Sequence, residues 1–245
     1  MQKKVAIIAD IHGNSWALKS VLVDIKDRGI EKIINLGDSL NGPLDPQGTF
    51  KLLVENEILS ISGNGDRLIL ENLQLKTNNL TAEYILSQMN SDIISWLKNL
   101  SFDCVYNDIY CCHGSPRSDM EYLLESLEPE YIDIRAFSEI DKILSGIKQN
   151  IIVCGHSHVP RIIKSGDKVI CNVGSVGLPA YNDELPIPHK MQNYNPYASY
   201  TIITESTKSF NIEQVTVSYD YEQAVKKAIL NKREDWAKWI RTGRV

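Results

Sequence analysis

Short apolar runs and amphipathic stretches alternate through the first hundred residues. The run Val5-Ala6-Ile7-Ile8-Ala9 predicts a strand, and Trp16, Leu18, Val21, Leu22 and Ile25 then recur at helical spacing. The pattern repeats with a strand over Lys32 to Leu36, a helix opening near Asp45-Pro46 and running through Phe50, Leu52 and Leu53, and a third strand over Ile58 to Ile61. Such β-α-β-α-β order implies a parallel sheet with helices on its faces. From Thr81 to Leu100 one long helical region is expected, its apolar stripe supplied by Tyr84, Ile85, Met89, Ile93, Trp96 and Leu97.

The second half is strand-rich. Cys104 to Tyr106, Ile109 to Cys112, Ile151 to Cys154, Arg161 to Lys164, Val169 to Asn172, Tyr200 to Thr204 and Phe210 to Val217 read as strands, with a hairpin turn at Ser165-Gly166-Asp167-Lys168. Helical patterns return over Tyr221 to Leu230 and Asp235 to Ile240, where Trp236, Trp239 and Ile240 are expected to close the outside of the core. No Pro/Gly/Ser linker divides the halves, so the expectation is one α/β domain over residues 1–245, a sandwich of two mixed sheets with helices outside. Two loops stand out, Ser39 to Gly48 and Leu178 to Pro196, and long ordered loops over a compact core are often functional.

Composition narrows the function. With 43% hydrophobic and 23% charged residues the chain can bury a sizeable core, and a formal charge of -5 gives none of the basic footprint of a protein that tracks long nucleic acid. An anionic substrate would be attracted locally, by bound cations. Met1 to Asp10 lacks the apolar region of a signal peptide, and no apolar run approaches a membrane span, so the expected location is the cytoplasm. Cys104, Cys111, Cys112, Cys154 and Cys171 form no Cys-x-x-Cys pair and read as small buried apolar residues.

The residues able to bind metal fall just after strands: Asp10-Ile11-His12-Gly13-Asn14, Gly37-Asp38, Gly63-Asn64-Gly65-Asp66, His113-Gly114-Ser115 and Gly155-His156-Ser157-His158. In open α/β sheets ligands gather at the carboxyl ends of the strands, so these distant segments can converge. Four of the five histidines lie in them, His189 alone standing elsewhere as an expected surface residue. Carboxylates, imidazoles and one amide oxygen without thiolate suit borderline divalent metals, manganese first, with iron, zinc, cobalt or nickel compatible. Asp10, His12, Asp38, Asn64, His113, His156 and His158 are too many for one ion, and would supply four ligands to each of two if one carboxylate bridges.

In this order Asp-x-His, Gly-Asp, Gly-Asn-x-Asp, His-Gly and Gly-His-x-His resemble the calcineurin-like metallophosphoesterase superfamily. Asp-Ile-His-Gly-Asn, His-Gly-Ser-Pro-Arg and Asn-Val-Gly-Ser-Val-Gly are similar to its bacterial and archaeal phosphodiesterase-like branch. The resemblance implies a four-layer αββα sandwich in which Asp10, His12 and His158 hold one metal, Asn64, His113 and His156 the other, and Asp38 bridges them. It implies hydrolysis of a small phosphodiester or nucleotide-type substrate by a water shared between the metals. The alternatives are a phosphomonoesterase of the serine/threonine phosphatase type and a non-catalytic scaffold on the same fold. Many relatives carry a histidine, assigned as general acid, where this chain has Gly65.

Plainer roles compete at several positions. Asp10 and Asp38 suit turns or helix caps, and Asn64 suits a Gly-Asn-Gly turn without any metal. Asn14 either contacts phosphate or starts a helix, and Arg117 either grips phosphate or forms a structural ion pair. Asp66 is expected to orient a neighbour by hydrogen bonding, and Asn172 to Gly177 to form a tight turn near the site.

Overall fold

The structure is a computed structural model that describes residues 3–75, 79–128, 131–206 and 209–245; Met1 and Gln2, the first residues of the stretch Met1 to Asp10, lie outside it. The chain begins β1 (Lys3–Ile8), α1 (Ser15–Asp27), β2 (Lys32–Asn35), α2 (Pro46–Glu55), β3 (Leu59–Ser60), as the apolar runs predict. Three helices follow, α3 (Asn64–Asn72), α4 (Leu80–Ser87) and α5 (Ser91–Lys98). Next come β4 (Asp103–Tyr106), β5 (Ile109–Cys112), β6 (Glu125–Leu127), β7 (Ile132–Ile134), α6 (Phe137–Ile143), β8 (Ile151–Cys154), β9 (Arg161–Ser165) and β10 (Lys168–Asn172). The chain closes with β11 (Ala180–Asp183), β12 (His189–Gln192), β13 (Ala198–Glu205), β14 (Phe210–Val217), α7 (Tyr221–Leu230) and α8 (Glu234–Thr242).

Two five-stranded mixed sheets form the centre, ordered β14-β13-β1-β2-β3 and β4-β5-β8-β10-β9. Strands β1, β2 and β3 run parallel, as do β5, β8 and β10; β13 lies antiparallel beside β1, and β4 and β9 lie antiparallel on the two sides of the second trio. Because side chains alternate across a strand, β1 feeds two cores. Val5 and Ile7 meet Ile109, Cys111, Ile151 and Val153 between the sheets, whereas Ala6 and Ile8 meet Leu18, Val21 and Ile25 of α1. On the far side of the second sheet, Tyr110, Cys112 and Ile152 pack on Ile140 and Ile143 of α6. Helix, sheet, sheet, helix is the layer order that buries both faces of both sheets. The five cysteines are free, four buried and Cys104 half-buried. No helix among the described residues is long and apolar enough to cross a membrane.

Several elements differ from expectation. The region from Thr81 to Leu100 is two helices, because the Asn90 side chain caps α5 by accepting from the Asp92 and Ile93 amides at 3.0 and 2.9 Å, which ends the helical run before it. The stripe survives the break, with Ile85, Ile93 and Leu97 buried against Leu40 and Ile69. Asn64 sits at the first residue of α3 rather than in a free turn, and Asp66 holds that helix start by accepting from the Gly63 amide at 3.2 Å. Residues 178–196 contain the hairpin β11-β12, paired from Ala180↔Gln192 to Asp183↔His189. Its proline-rich tip, Pro186 and Pro188, hides the strand pattern in the sequence.

Truncating the inter-sheet core should show how much it contributes. Ile7 is fully buried, so Ile7→Ala is expected to cost about 2–5 kcal/mol, read as a lower urea midpoint at unchanged slope. Val23→Ala, at a position 54% exposed on α1, should stay within about 0.5 kcal/mol of the parent.

Candidate metal centre

The turns after β1, β2 and β8 are bent into a conformation that ordinary residues avoid. Asp10, His12, Asp38, His156 and His158 have φ of 54°, 53°, 51°, 67° and 61°, in the left-handed region. For a residue other than glycine this costs about 1–2 kcal/mol, and such strain collects where a site over-determines the backbone. Here neighbouring turns stitch one another together. The Asp10 amide donates to Gly37 O at 3.0 Å, the His12 amide to Asp38 O at 2.9 Å, and the Gly155 amide to His113 O at 2.8 Å. The Asn172 to Gly177 turn closes behind them, with the Val176 and Gly177 amides donating to Ala9 O and Asp10 O at 3.0 Å. A Cβ at Gly177 would stand 1.8 Å from Ile11 O, so this approach is open only to glycine. Gly155 serves the same end for the Asp10 carboxylate, whose Oδ2 would lie 2.6 Å from a Cβ there and accepts from the His156 amide at 3.1 Å.

The side chains converge as acceptors. His12 Nδ1 lies 2.7 Å from Asn41 O, His158 Nδ1 2.6 Å from Leu178 O, and His113 Nδ1 2.9 Å from Leu36 O. A carbonyl only accepts, so each Nδ1 donates and each neutral ring presents a bare Nε2 lone pair. His156 is held the other way round, its Nε2 donating to Met120 O at 3.2 Å, which bares Nδ1. The bare nitrogens point at other acceptors: His12 Nε2 is 3.1 Å from His158 Nε2, and His113 Nε2 is 2.9 Å from Asn64 Oδ1. Asp10 Oδ1, 3.4 Å from His158 Nε2 and 4.0 Å from His113 Nε2, is buried without any hydrogen-bond partner. Asp38 reaches both sides, with Oδ1 3.5 Å from His113 Nε2 and Oδ2 3.7 Å from His12 Nε2. Ligand atoms of Asp10, His12 and His158, and of Asp10, Asp38 and His113, gather closely enough to hold a metal ion.

Charge sharpens this arrangement. Burial opposes the Asp10 carboxylate, yet His158, His113 and His12 around it hold it at about 2. Burial and then the neighbouring His113 push His156 down to about 4, and burial with His158 lowers His12. Burial also opposes charge on His113, but Asp38 and Asp10 outweigh it and raise that ring. An ionised Asp10 beside His12 and His156 kept neutral is a protonation pattern that binds a metal, and His113 would give up a proton on binding.

The other predicted residues have structural employment. Asn14 is fully buried; its Oδ1 accepts from the Ala17 amide at 3.1 Å, and its Nδ2 donates to Gly177 O and the Tyr219 hydroxyl at 2.9 and 3.0 Å. Its helix-starting role is what the geometry displays. Arg117 pairs with Glu121 at 2.7 Å, its side chain 55% exposed. Asp66 accepts from the Ser39 and Leu40 amides at 3.0 and 3.3 Å and so fixes the turn that carries Asp38. His189 is buried, not on the surface, with Nε2 2.8 Å from the Tyr122 hydroxyl. At Gly65 a Cβ would stand 2.7 Å from Asn41 Cβ and 3.0 Å from Asp38 Oδ1, so the Asn41 side chain fills the space a histidine would need.

Three residues near the centre carry no motif in the sequence. Tyr122 stacks on His156 with centroids 4.5 Å apart, Tyr181 packs against His158 at 4.5 Å and donates to His156 O, and Glu125 accepts from Ser157 at 2.9 Å between the two histidines. Their only sequence signal is aromatic and acidic character in stretches that read as connections. Beside the cluster opens a cavity of about 470 Å³ lined by His12, Asp38, Asn41, Asn64, His156 and His158 and, farther out, by residues of α4, β11 and α8.

Comparison with known proteins places the chain in a family. The model of the calcineurin-like phosphoesterase superfamily domain matches residues 4–187. An uncharacterized protein of Methanocaldococcus jannaschii is 28% identical over 247 residues, covering 96% of both chains. The crystal structure of a metallophosphoesterase from Sphaerobacter thermophilus superposes with a TM-score of 0.78 at 20% identity, over 99% of this chain and 100% of that one. That of a hypothetical protein from Pyrococcus horikoshii gives 0.74 at 20% identity over 98% of both. These structures share the fold, and the family match extends over most of the chain. The chain belongs to the calcineurin-like phosphoesterase superfamily, a metal-dependent family.

Proposed function

We propose that this chain hydrolyses phosphodiester or nucleotide-type substrates with two divalent metal ions and favours good leaving groups. The observation that carries the reading is the set of bare acceptors facing one another. Four rings are held by backbone carbonyls so that each keeps one ring nitrogen for the site, and among them the buried Asp10 Oδ1 has no hydrogen-bond partner. Asp10, His12 and His158 would hold one ion and Asn64, His113 and His156 the other, with Asp38 reaching both. When bound, the ions would supply Lewis acidity toward the phosphate and lower the pKa of water. Manganese fits a donor set of nitrogen and oxygen without thiolate, and iron, zinc, cobalt and nickel are compatible.

The chain's own residues set the rest of the chemistry. Backbone carbonyls of Leu36, Asn41, Met120 and Leu178 fix the ring orientations, and the His156 amide occupies Asp10 Oδ2 so that Oδ1 is left for the site. At position 65 there is no acid to protonate a leaving group, and the Asn41 amide beside it can donate a hydrogen bond without giving up its proton. Leaving groups that depart as stable anions are therefore favoured, which aligns with diesters of the aryl kind. The net charge of -5 weighs against long nucleic acid as substrate.

Manganese-dependent turnover of bis-p-nitrophenyl phosphate is expected to exceed that of p-nitrophenyl phosphate. Asp38→Asn and His156→Ala should each lose more than about 100-fold, since even residues behind the ligands cost 10–100-fold. A folded protein that turns over neither ester with any of the five metals would sink the proposal. Independently of activity, manganese at about 100 times its Kd should add about 2.7 kcal/mol, a rise in Tm of about 5–10 °C. A chelator should reverse the rise and Asp10→Asn should lack it; an unchanged Tm in the parent contradicts a built metal site. Gly65→His alone should destabilise the fold against Asn41, whereas Asn41→Gly with Gly65→His should fold and speed alkyl over aryl esters, by up to about 10²-fold. Unaltered leaving-group dependence in the double variant would rule out the missing acid as its cause.

A further inference from the structure

The cavity is larger than a phosphate requires, and its far wall comes partly from α8, beyond the residues 4–187 that the family model matches. That wall has an unusual charge balance. Past the ligand cluster, the described residues lining it include two charged groups, Arg233 and Asp183. Arg233 is already neutralised: Nε and Nη2 donate to the two carboxylate oxygens of Asp235 at 2.8 and 2.6 Å. Its Nη1 donates to Thr81 Oγ1 at 2.6 Å, and the guanidinium lies over the Trp236 ring at 5.4 Å. Of the five N–H donors of a guanidinium three are thus spent, which leaves a rigid plane with two donors for a neutral acceptor.

A second phosphate would meet Asp183 and an arginine whose charge is spent, so the wall is poorly suited to a polyphosphate. It is well suited to a flat uncharged group. Leu68, 36% exposed, offers apolar contact, Asn72 and Asn182 offer amide donors and acceptors, and the Arg233 plane, backed by Trp236, offers a stacking surface. Trp236 also meets the His12 ring edge-on at 5.8 Å, which joins this wall directly to the metal-binding cluster. We infer that the far wall formed by Arg233, Trp236 and their neighbours is a subsite for an uncharged planar substituent of the phosphate, a nucleobase in chemical class. The inference rests on the phosphoesterase reading only for the placement of the phosphate itself.

Two esters with one leaving group test it, thymidine 5′-(p-nitrophenyl phosphate) and methyl p-nitrophenyl phosphate. KM for the nucleoside ester should be at least about fivefold lower, the low end of what stacking one base contributes. The KM ratio, which a general loss of activity does not move, should fall to about one in Arg233→Met and in Trp236→Leu. Calorimetry on the manganese-loaded protein decides the same question without turnover. AMP should bind at least about fivefold tighter than ribose 5-phosphate, and ATP no tighter than AMP. Equal binding of AMP and ribose 5-phosphate, or tighter binding of ATP, overturns the subsite. Absence of ester hydrolysis with the AMP preference intact would instead remove the phosphoesterase reading and leave a nucleotide-binding pocket.

Discussion

Everything at the centre of this molecule follows from a cluster of buried acceptors that cannot satisfy one another. Two imidazole nitrogens lie 3.1 Å apart with their other nitrogens already donating, and a buried carboxylate oxygen beside them has no partner. In a low-dielectric interior an unpaired polar atom costs about 1–3 kcal/mol and a charged one more. Such an arrangement persists in a stable fold when a cation completes it. Divalent metals match what is missing, since they accept lone pairs from nitrogen and oxygen and compensate the Asp10 and Asp38 charges.

Holding that cluster in place takes a stiff frame. Each sheet contributes a parallel trio of strands; the turns after β1, β2, β3, β5 and β8 carry the acceptors, and the turn after β10 closes behind them. Five of those acceptors occupy left-handed backbone positions, a cost offset by the turn-to-turn hydrogen bonds and by the inter-sheet core that fixes the strand ends. Second-layer groups finish the job: Asp66 for the Asp38 turn, Glu125 for Ser157, and Tyr181 for the His156 backbone. Burial and the adjacent Asp38 raise the Asp66 carboxyl above its ordinary range, so it is the three amides donating to it that keep this acid useful as an anchor. Other elements complete the cavity beside the cluster: residues of α4, β11 and α8 line it, and Trp236 of α8 reaches the cluster through its edge-on contact with His12.

Much of this was legible in the sequence because it depends on local periodicity. Strand alternation and helical stripes identified the β1-α1-β2-α2-β3 unit and the strands β5, β8 and β14 at or near their observed bounds. Glycines next to Asp, Asn and His marked the strand-end turns, and their order resembled the family to which the chain belongs. Local signals failed where a cap or a turn residue decides the structure. Asn90 splits a continuous apolar stripe, Asp66 starts a helix in what reads as a turn, and two prolines disguise the β11-β12 hairpin.

The sequence by itself determined the layered α/β class, the strand-end position of the acceptor residues and their chemical type, because each is set by neighbours a few residues away. Only the tertiary structure decided which nitrogen of each histidine faces inward, because the choice is made by carbonyls of Leu36, Asn41, Met120 and Leu178, up to 77 residues distant. It likewise decided that Asn14 is spent as a cap, that His189 is buried, and that Asn41 fills the space over Gly65. Those outcomes come from packing between segments far apart in the chain, and no local pattern encodes a contact of that kind.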